Sequence, residues 1–226
     1  MAIFNTVYGG IPKWKPNANT VAYYKFDWDS LDYSGNWYNV TQVTSYDTLS
    51  SWKKVAYFSG TKSSPWNCNL GICDLFKVAQ NITISFYVKP SSFWTEWVRP
   101  FIFSWSNSWN VVRVDLYSDK LNWWLGNGWY NYTTFNTSIS TSEFQHIVLT
   151  YNHTNKEVSM YKNWTLVSTT STTWYNLFWD WTQANIWYDH WYNSSEYLGE
   201  MIFEKWVIWT QEQATQYYNQ TKANYS

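Results

Sequence analysis

Glycine is scarce in this sequence. Only 8 of 226 residues are glycine, about half the roughly 7% usual in proteins. Extended chains joined by tight turns should need more glycine than average, not less. Charge is scarce too: charged residues make up 14%, the net charge is −1, and Arg99 and Arg113 are the two arginines. That balance argues against a surface that neutralises nucleic-acid phosphates. No apolar stretch approaches the ~20 residues that span a bilayer, which excludes membrane insertion by a helix. The N-terminus lacks a basic region followed by an apolar one, so a secretory leader is absent or was removed. Gly-x-Ser-x-Gly, His-Glu-x-x-His and a glycine-rich phosphate loop are all missing, and with them the commonest hydrolase and nucleotide chemistries.

What is present is aromatic: 20 Trp, 20 Tyr and 12 Phe. Such content excludes a disordered chain. The length suits one large all-β domain or two small domains. Period-2 apolar runs dominate, among them Thr20–Phe26, Lys54–Phe58, Ile82–Val88, Val111–Leu116, Lys120–Leu125, Phe144–Tyr151, Glu157–Tyr161 and Glu200–Glu204. Alternation of this kind reads as strands. Their spacing, with turn-like stretches between, predicts an all-β fold: a two-sheet antiparallel β-sandwich, or jelly roll, with one short C-terminal helix. The helix follows Thr210, which forms a Thr-x-x-Gln capping box with Gln213. Residues 1–19, including the Pro-rich Ile11–Asn19, read as an N-terminal arm, and residues 20–226 as the domain.

Five segments resemble laminin-G-like jelly-roll domains of the concanavalin A-like lectin/glucanase superfamily. Val21–Thr41 resembles their opening, an apolar strand, an acidic loop and then Asp-x-Ser-Gly-Asn, carried here by Asp32, Ser34, Gly35, Asn36, Asn39 and Thr41. Val55–Gly60 resembles the second strand, Ile82–Pro90 the central strand, and Gln145–Val167 a pair of hairpin strands. Leu198–Tyr218 resembles the closing strand and helix. The resemblance implies a jelly roll over about residues 20–220. It also implies a structural Ca²⁺ between the first loop and the last strand, for which Asp27, Asp32 and Glu200 (with Asp29 nearby) are the oxygen donors this sequence offers. Glu200 stands where the family more often has Asp.

The resemblance also implies recognition without catalysis. Laminarinase-like glucanases of the superfamily carry Glu-x-Asp-x-x-Glu or Glu-x-Asp-x-Glu on one strand. Here Glu200 and Glu204 share a strand face, but Ile202 lies between them. Glycosidases need two carboxylates at about 5–9.5 Å, so a hydrolase is the weakest alternative. A carbohydrate-binding module on a cell or virion surface is the leading reading, with Trp124, Asp115, Tyr117 and His190 as sugar-contacting candidates. Trp123 and Trp124 must face opposite sides of their strand. A phage structural or decoration protein without a glycan ligand is the alternative, docking to other virion proteins through the arm. The leading Met and the lack of a leader favour it.

Three further features have competing explanations. Cys68 and Cys73 are separated by four residues; they suit either a disulfide closing a small loop or two free thiols, since no second pair of zinc ligands sits nearby. Nine Asn-x-Ser/Thr sequons read as a by-product of a composition rich in Asn, Ser and Thr. The tryptophans are the third. Trp37, Trp164 and Trp187 stand where the family usually has Gly. Trp28, Trp94, Trp97, Trp105, Trp109, Trp174, Trp179, Trp181 and Trp191 lie in polar loops. Either these residues form an aromatic sugar- or partner-binding surface, or their codons are UGA in a lineage that reads UGA as glycine.

Overall fold

The computed structural model describes residues 14–40, 43, 45–60, 68–69, 81–91, 101–107, 110–117, 119–127, 132–172, 184–186 and 194–226, some strand residues by backbone alone. Two antiparallel sheets face each other, as the alternation predicts. The larger is built from β1 (Thr20–Tyr24), β2 (Ser45–Thr48), β3 (Lys54–Gly60), β5 (Ile82–Pro90), β10 (Gln145–Asn152), β11 (Glu157–Lys162), β12 (Thr165–Ser171) and β14 (Ser194–Lys205). Its order is β12-β11-β10-β5-β14-β3-β2. The strand β14 is long enough to hold two partners on one side. Ser194–Leu198 pairs with β3 and Met201–Glu204 with β1, and between these two stretches the pairing of β14 with β5 shifts register. The smaller sheet runs β4 (Cys68–Asn69), β13 (Ala184–Ile186), β6 (Phe101–Asn107), β7 (Asn110–Tyr117), β8 (Lys120–Asn127) and β9 (Tyr132–Ser138).

The core between the sheets comes from alternate positions. Ile84, Phe86, Ile147, Leu149, Met201 and Phe203 descend from the eight-stranded sheet to meet Val114, Leu116, Leu121, Trp123 and Phe135 of the other. In β5 and β10, however, almost every residue is buried, not every second one. The reason is a third layer. Helix α1 (Gln211–Thr221) and the 3₁₀ turn Lys222–Tyr225 lie on the outer face of the eight-stranded sheet. There Val55, Tyr87, Val148 and Ile202 pack against Trp209, Ala214, Tyr217 and Tyr225. The capping box forms as predicted: the Thr210 hydroxyl accepts from the Gln213 N–H, and the Gln213 side-chain oxygen Oε1 accepts from the Thr210 N–H.

Residues 14–19 of the expected arm join this layer. Trp14 lies edge-on to Tyr23 and Tyr217, and its N–H donates to the Gln220 side chain. The Asn17 amide donates to Glu204. Residues 1–13 lie outside the described residues.

Candidate functional site

The sugar-contacting candidates on β7 and β8 fall into register. In both strands the odd-even alternation is fixed by Val114, Leu116, Leu121 and Trp123, all buried between the sheets. The intervening positions therefore belong to the outer face of the six-stranded sheet. Pairing sets these outer positions in three cross-strand rows. Arg113, Trp124 and Tyr132 form one row, Asp115, Asn122 and Thr134 the next, and Tyr117 pairs with Lys120 in the third. Backbone pairing thus brings Asp115, Tyr117 and Trp124 together on adjacent strands, although their side chains are outside the described residues, as is His190 altogether. Trp123 takes the core position, which settles which of the two adjacent tryptophans is on the outer face.

Asn122 was not singled out from the sequence. It sits in the middle row, 3% exposed, and its side-chain carbonyl accepts a 2.7 Å hydrogen bond from the Thr134 hydroxyl. Its signal was present in the alternation of Leu121 and Trp123 around it. An Asp, an Asn and a Thr in one row, flanked by Trp and Tyr positions, combine hydrogen-bonding groups with aromatic ones. This is the pairing of chemistries that a hydroxyl-rich ring with an apolar face requires.

The three candidate calcium ligands are not brought into one shell. Asp32 is held by four donors: the N–H groups of Tyr23 (2.9 Å), Ser34 (2.8 Å) and Tyr38 (3.1 Å), and the Ser34 hydroxyl (2.8 Å). Its own N–H donates to Asn39, and the Asn36 amide donates to the carbonyls of Thr20 and Val21. The Asp-x-Ser-Gly-Asn segment is therefore a knot that fastens the first loop to β1. Asp27 and Glu200 do meet, but through Lys53. Its ammonium pairs with Asp27 and lies 3.3 Å from Glu200, and it also donates to the Lys25 carbonyl. Glu200 accepts from the Tyr217 hydroxyl as well, while its N–H donates to that of Tyr225. An ammonium, not a divalent cation, links the first loop to the closing strand, so these residues do not fit a calcium ion. No group of three or more His, Cys, Asp or Glu is arranged to hold a metal among the described residues.

Other titratable groups are structural. Glu204 is buried and accepts from the Trp209 indole, Asn17 and Thr20, yet desolvation still raises its pKa. Glu200 and Glu204 thus both serve the layer under α1. His146 is fully enclosed, and desolvation lowers its pKa to about 3. Its Nε2 lies 2.7 Å from the Ser85 hydroxyl, and its ring packs against Tyr87, Tyr217 and Tyr218. Glu196 was missed from the sequence. It is completely buried on β14, its carboxyl makes no hydrogen bond among the described residues, and desolvation raises its pKa well above the ordinary value. Cys68 is on β4, opposite Ile186, while Cys73 lies outside the described residues.

Beside α1, an open hollow of about 400 Å³ is walled by Tyr87, Phe144, Tyr218 and Tyr225, with Lys89 and Lys222 at its edge. Tyr225 stacks on Tyr87 there at 3.8 Å. Gly199 makes that placement possible, because a Cβ on it would meet the Tyr225 ring at 2.2 Å.

The family model for the concanavalin A-like lectin/glucanases superfamily, of laminin G type, matches residues 68–202. The chain belongs to this superfamily. No curated protein sequence matches it. Among solved structures, the chain is similar to the binding domain of Paraclostridial mosquitocidal protein 1 (TM-score 0.68, 16% identity, 89% of this chain and 52% of that one). It is also similar to domain 4 of AbnA, an extracellular arabinanase of Geobacillus stearothermophilus solved with arabinotriose (TM-score 0.64, 19% identity, 88% of this chain and 98% of that one). A third is the botulinum neurotoxin type C structure titled for cell entry through two ganglioside molecules (TM-score 0.59, 12% identity, 89% and 51%). The chain spans about half the length of the toxin binding domains it matches. No described helix is long and apolar enough to cross a membrane.

Proposed function

We propose that this superfamily member is a non-catalytic carbohydrate-recognition module that works outside the cell. Its ligand surface is the outer face of the six-stranded sheet. The observation that carries the reading is the register of β7, β8 and β9, which sets Asp115, Asn122 and Thr134 in one row beside the Arg113–Trp124–Tyr132 row. The Asp115 position supplies the group for sugar hydroxyls, the buried Asn122 holds the Thr134 hydroxyl beside it, and an aromatic ring covers the apolar face of the sugar. The arabinotriose complex of AbnA domain 4 and the ganglioside-directed toxin support the class of ligand.

A glycan array followed by titration calorimetry on the best sugar tests this. Asp115→Ala and Trp124→Ala are each expected to weaken binding at least tenfold, the scale of a lost hot-spot contact, with the melting temperature unchanged. An array without any retained glycan, or variants that bind as the parent does, would remove the proposal.

A further inference from the structure

Four tryptophans occupy backbone conformations that suit glycine. Among the described residues, Trp37, Trp52, Trp164 and Trp206 have φ of 64°, 66°, 78° and 65°. In this region the Cβ of an L-residue crowds its own backbone, and for a bulky side chain the conformation is a genuine outlier. Glycine enters it without that clash.

Each of the four stands in a local structure that calls for glycine. Trp52 follows a turn in the β2–β3 hairpin: its N–H donates to Leu49, and the Leu49 N–H donates to Lys53. This is a turn closed by a left-handed bulge residue, the position a G1 bulge gives to Gly. Asn163 and Trp164 are the two central residues between β11 and β12, both at positive φ, with Lys162 paired to Thr165. That is a type I′ turn, whose favoured pair is Asn-Gly. Trp37 follows Asn36 in the first-loop knot, where the resembling family has Gly. Trp206 stands at the bend directly after β14, and its N–H donates to the Asn81 carbonyl.

Burial gives little compensation, although the Trp164 ring does pack against Tyr218 at 4.7 Å. The four side chains are 82%, 85%, 44% and 56% exposed. They lie on four separate turns. Trp209 behaves differently. It is 3% exposed, its indole donates to Glu204, and its ring packs against Trp14 and Tyr217.

We infer that positions 37, 52, 164 and 206 are glycine in the protein made by its own cell, their codons being UGA decoded as glycine, whereas Trp209 is a true tryptophan encoded by UGG. These four tryptophans are then no binding surface, and part of the shortage of glycine is a product of translation with the wrong table.

Two measurements test this. In the gene, UGA is expected at the four positions and UGG at 209; UGG at the four overturns the inference. In purified protein, Trp37→Gly, Trp52→Gly, Trp164→Gly and Trp206→Gly are each expected to raise the melting temperature by about 2–4 °C, the shift that relief of a left-handed side chain produces at this chain length. Trp209→Gly is expected to lower it. If the four turn variants melt below the parent, as Trp209→Gly does, the turns need their indoles and the inference fails.

Discussion

At the scale of single residues, the groups most conspicuous by type serve the fold. His146 is the best example. The structure encloses it completely between Ser85 and three tyrosines. Its folded pKa of about 3 lies below the usual 6.5. The sign follows directly. The unfolded chain takes up a proton as pH falls through about 6.5, and the folded chain does not until about pH 3. Stability is therefore lost across that window, by roughly 1 kcal/mol per pH unit once the unfolded histidine is charged. His146→Gln keeps a polar partner for Ser85 without the titration. Melting curves from pH 7 to pH 4 should show a shallower fall for this variant than for the parent; parallel curves would mean that His146 does not set the slope. Asp32 teaches a related lesson. Its residue type fits a cation ligand, and only coordinates show four donors converging on it.

At the scale of elements, alternation made the buried strands legible. The runs at Ile82–Val88 and Phe144–Tyr151 correspond closely to β5 and β10. Besides the two-residue β4, the strands β2 and β9 escaped, for physical reasons. Ser-Tyr-Asp-Thr of β2 is largely exposed at a sheet edge and carries no apolar stripe. In β9 only Phe135 enters the core among its described side chains, so the period-2 signal is one residue deep. The link between the first loop and β14 was also invisible, because Lys53 lies on the β2–β3 hairpin and 147 residues separate it from Glu200. That ammonium is 8% exposed and joins two carboxylates. Lys53→Met leaves Asp27 and Glu200 facing each other without a cation. Asp27 is 37% exposed and solvent screens it, so a loss of about 1–3 kcal/mol is expected, below that of a fully buried broken pair. Denaturant titration measures it. Millimolar calcium should leave the melting temperature of the parent unchanged; a calcium-dependent rise would restore the family-type cation site.

At the scale of the whole molecule, the sandwich is the part most fully written in the sequence, and the helix layer is where the pattern departs from simple alternation. A two-layer sandwich would leave Val55, Tyr87, Val148 and Ile202 facing solvent, but α1 and the residues around it cover all four. Burial of one such side chain contributes about 1.5–3 kcal/mol, so the four together approach about 6–12 kcal/mol. That equals the roughly 5–15 kcal/mol by which a whole domain is stable. The C-terminal segment is therefore part of the folding unit, although the jelly roll proper ends at Lys205. A chain ending at Ile208 keeps every strand and both faces of the inter-sheet core. It is expected to lose its cooperative thermal transition and its near-ultraviolet dichroism, and to bind a hydrophobic dye, because the uncovered row lies in the centre of the eight-stranded sheet and not at an edge. Should the truncated chain melt cooperatively within a few degrees of the parent, the outer layer would be an accessory, and the stability of the domain would reside between the sheets alone.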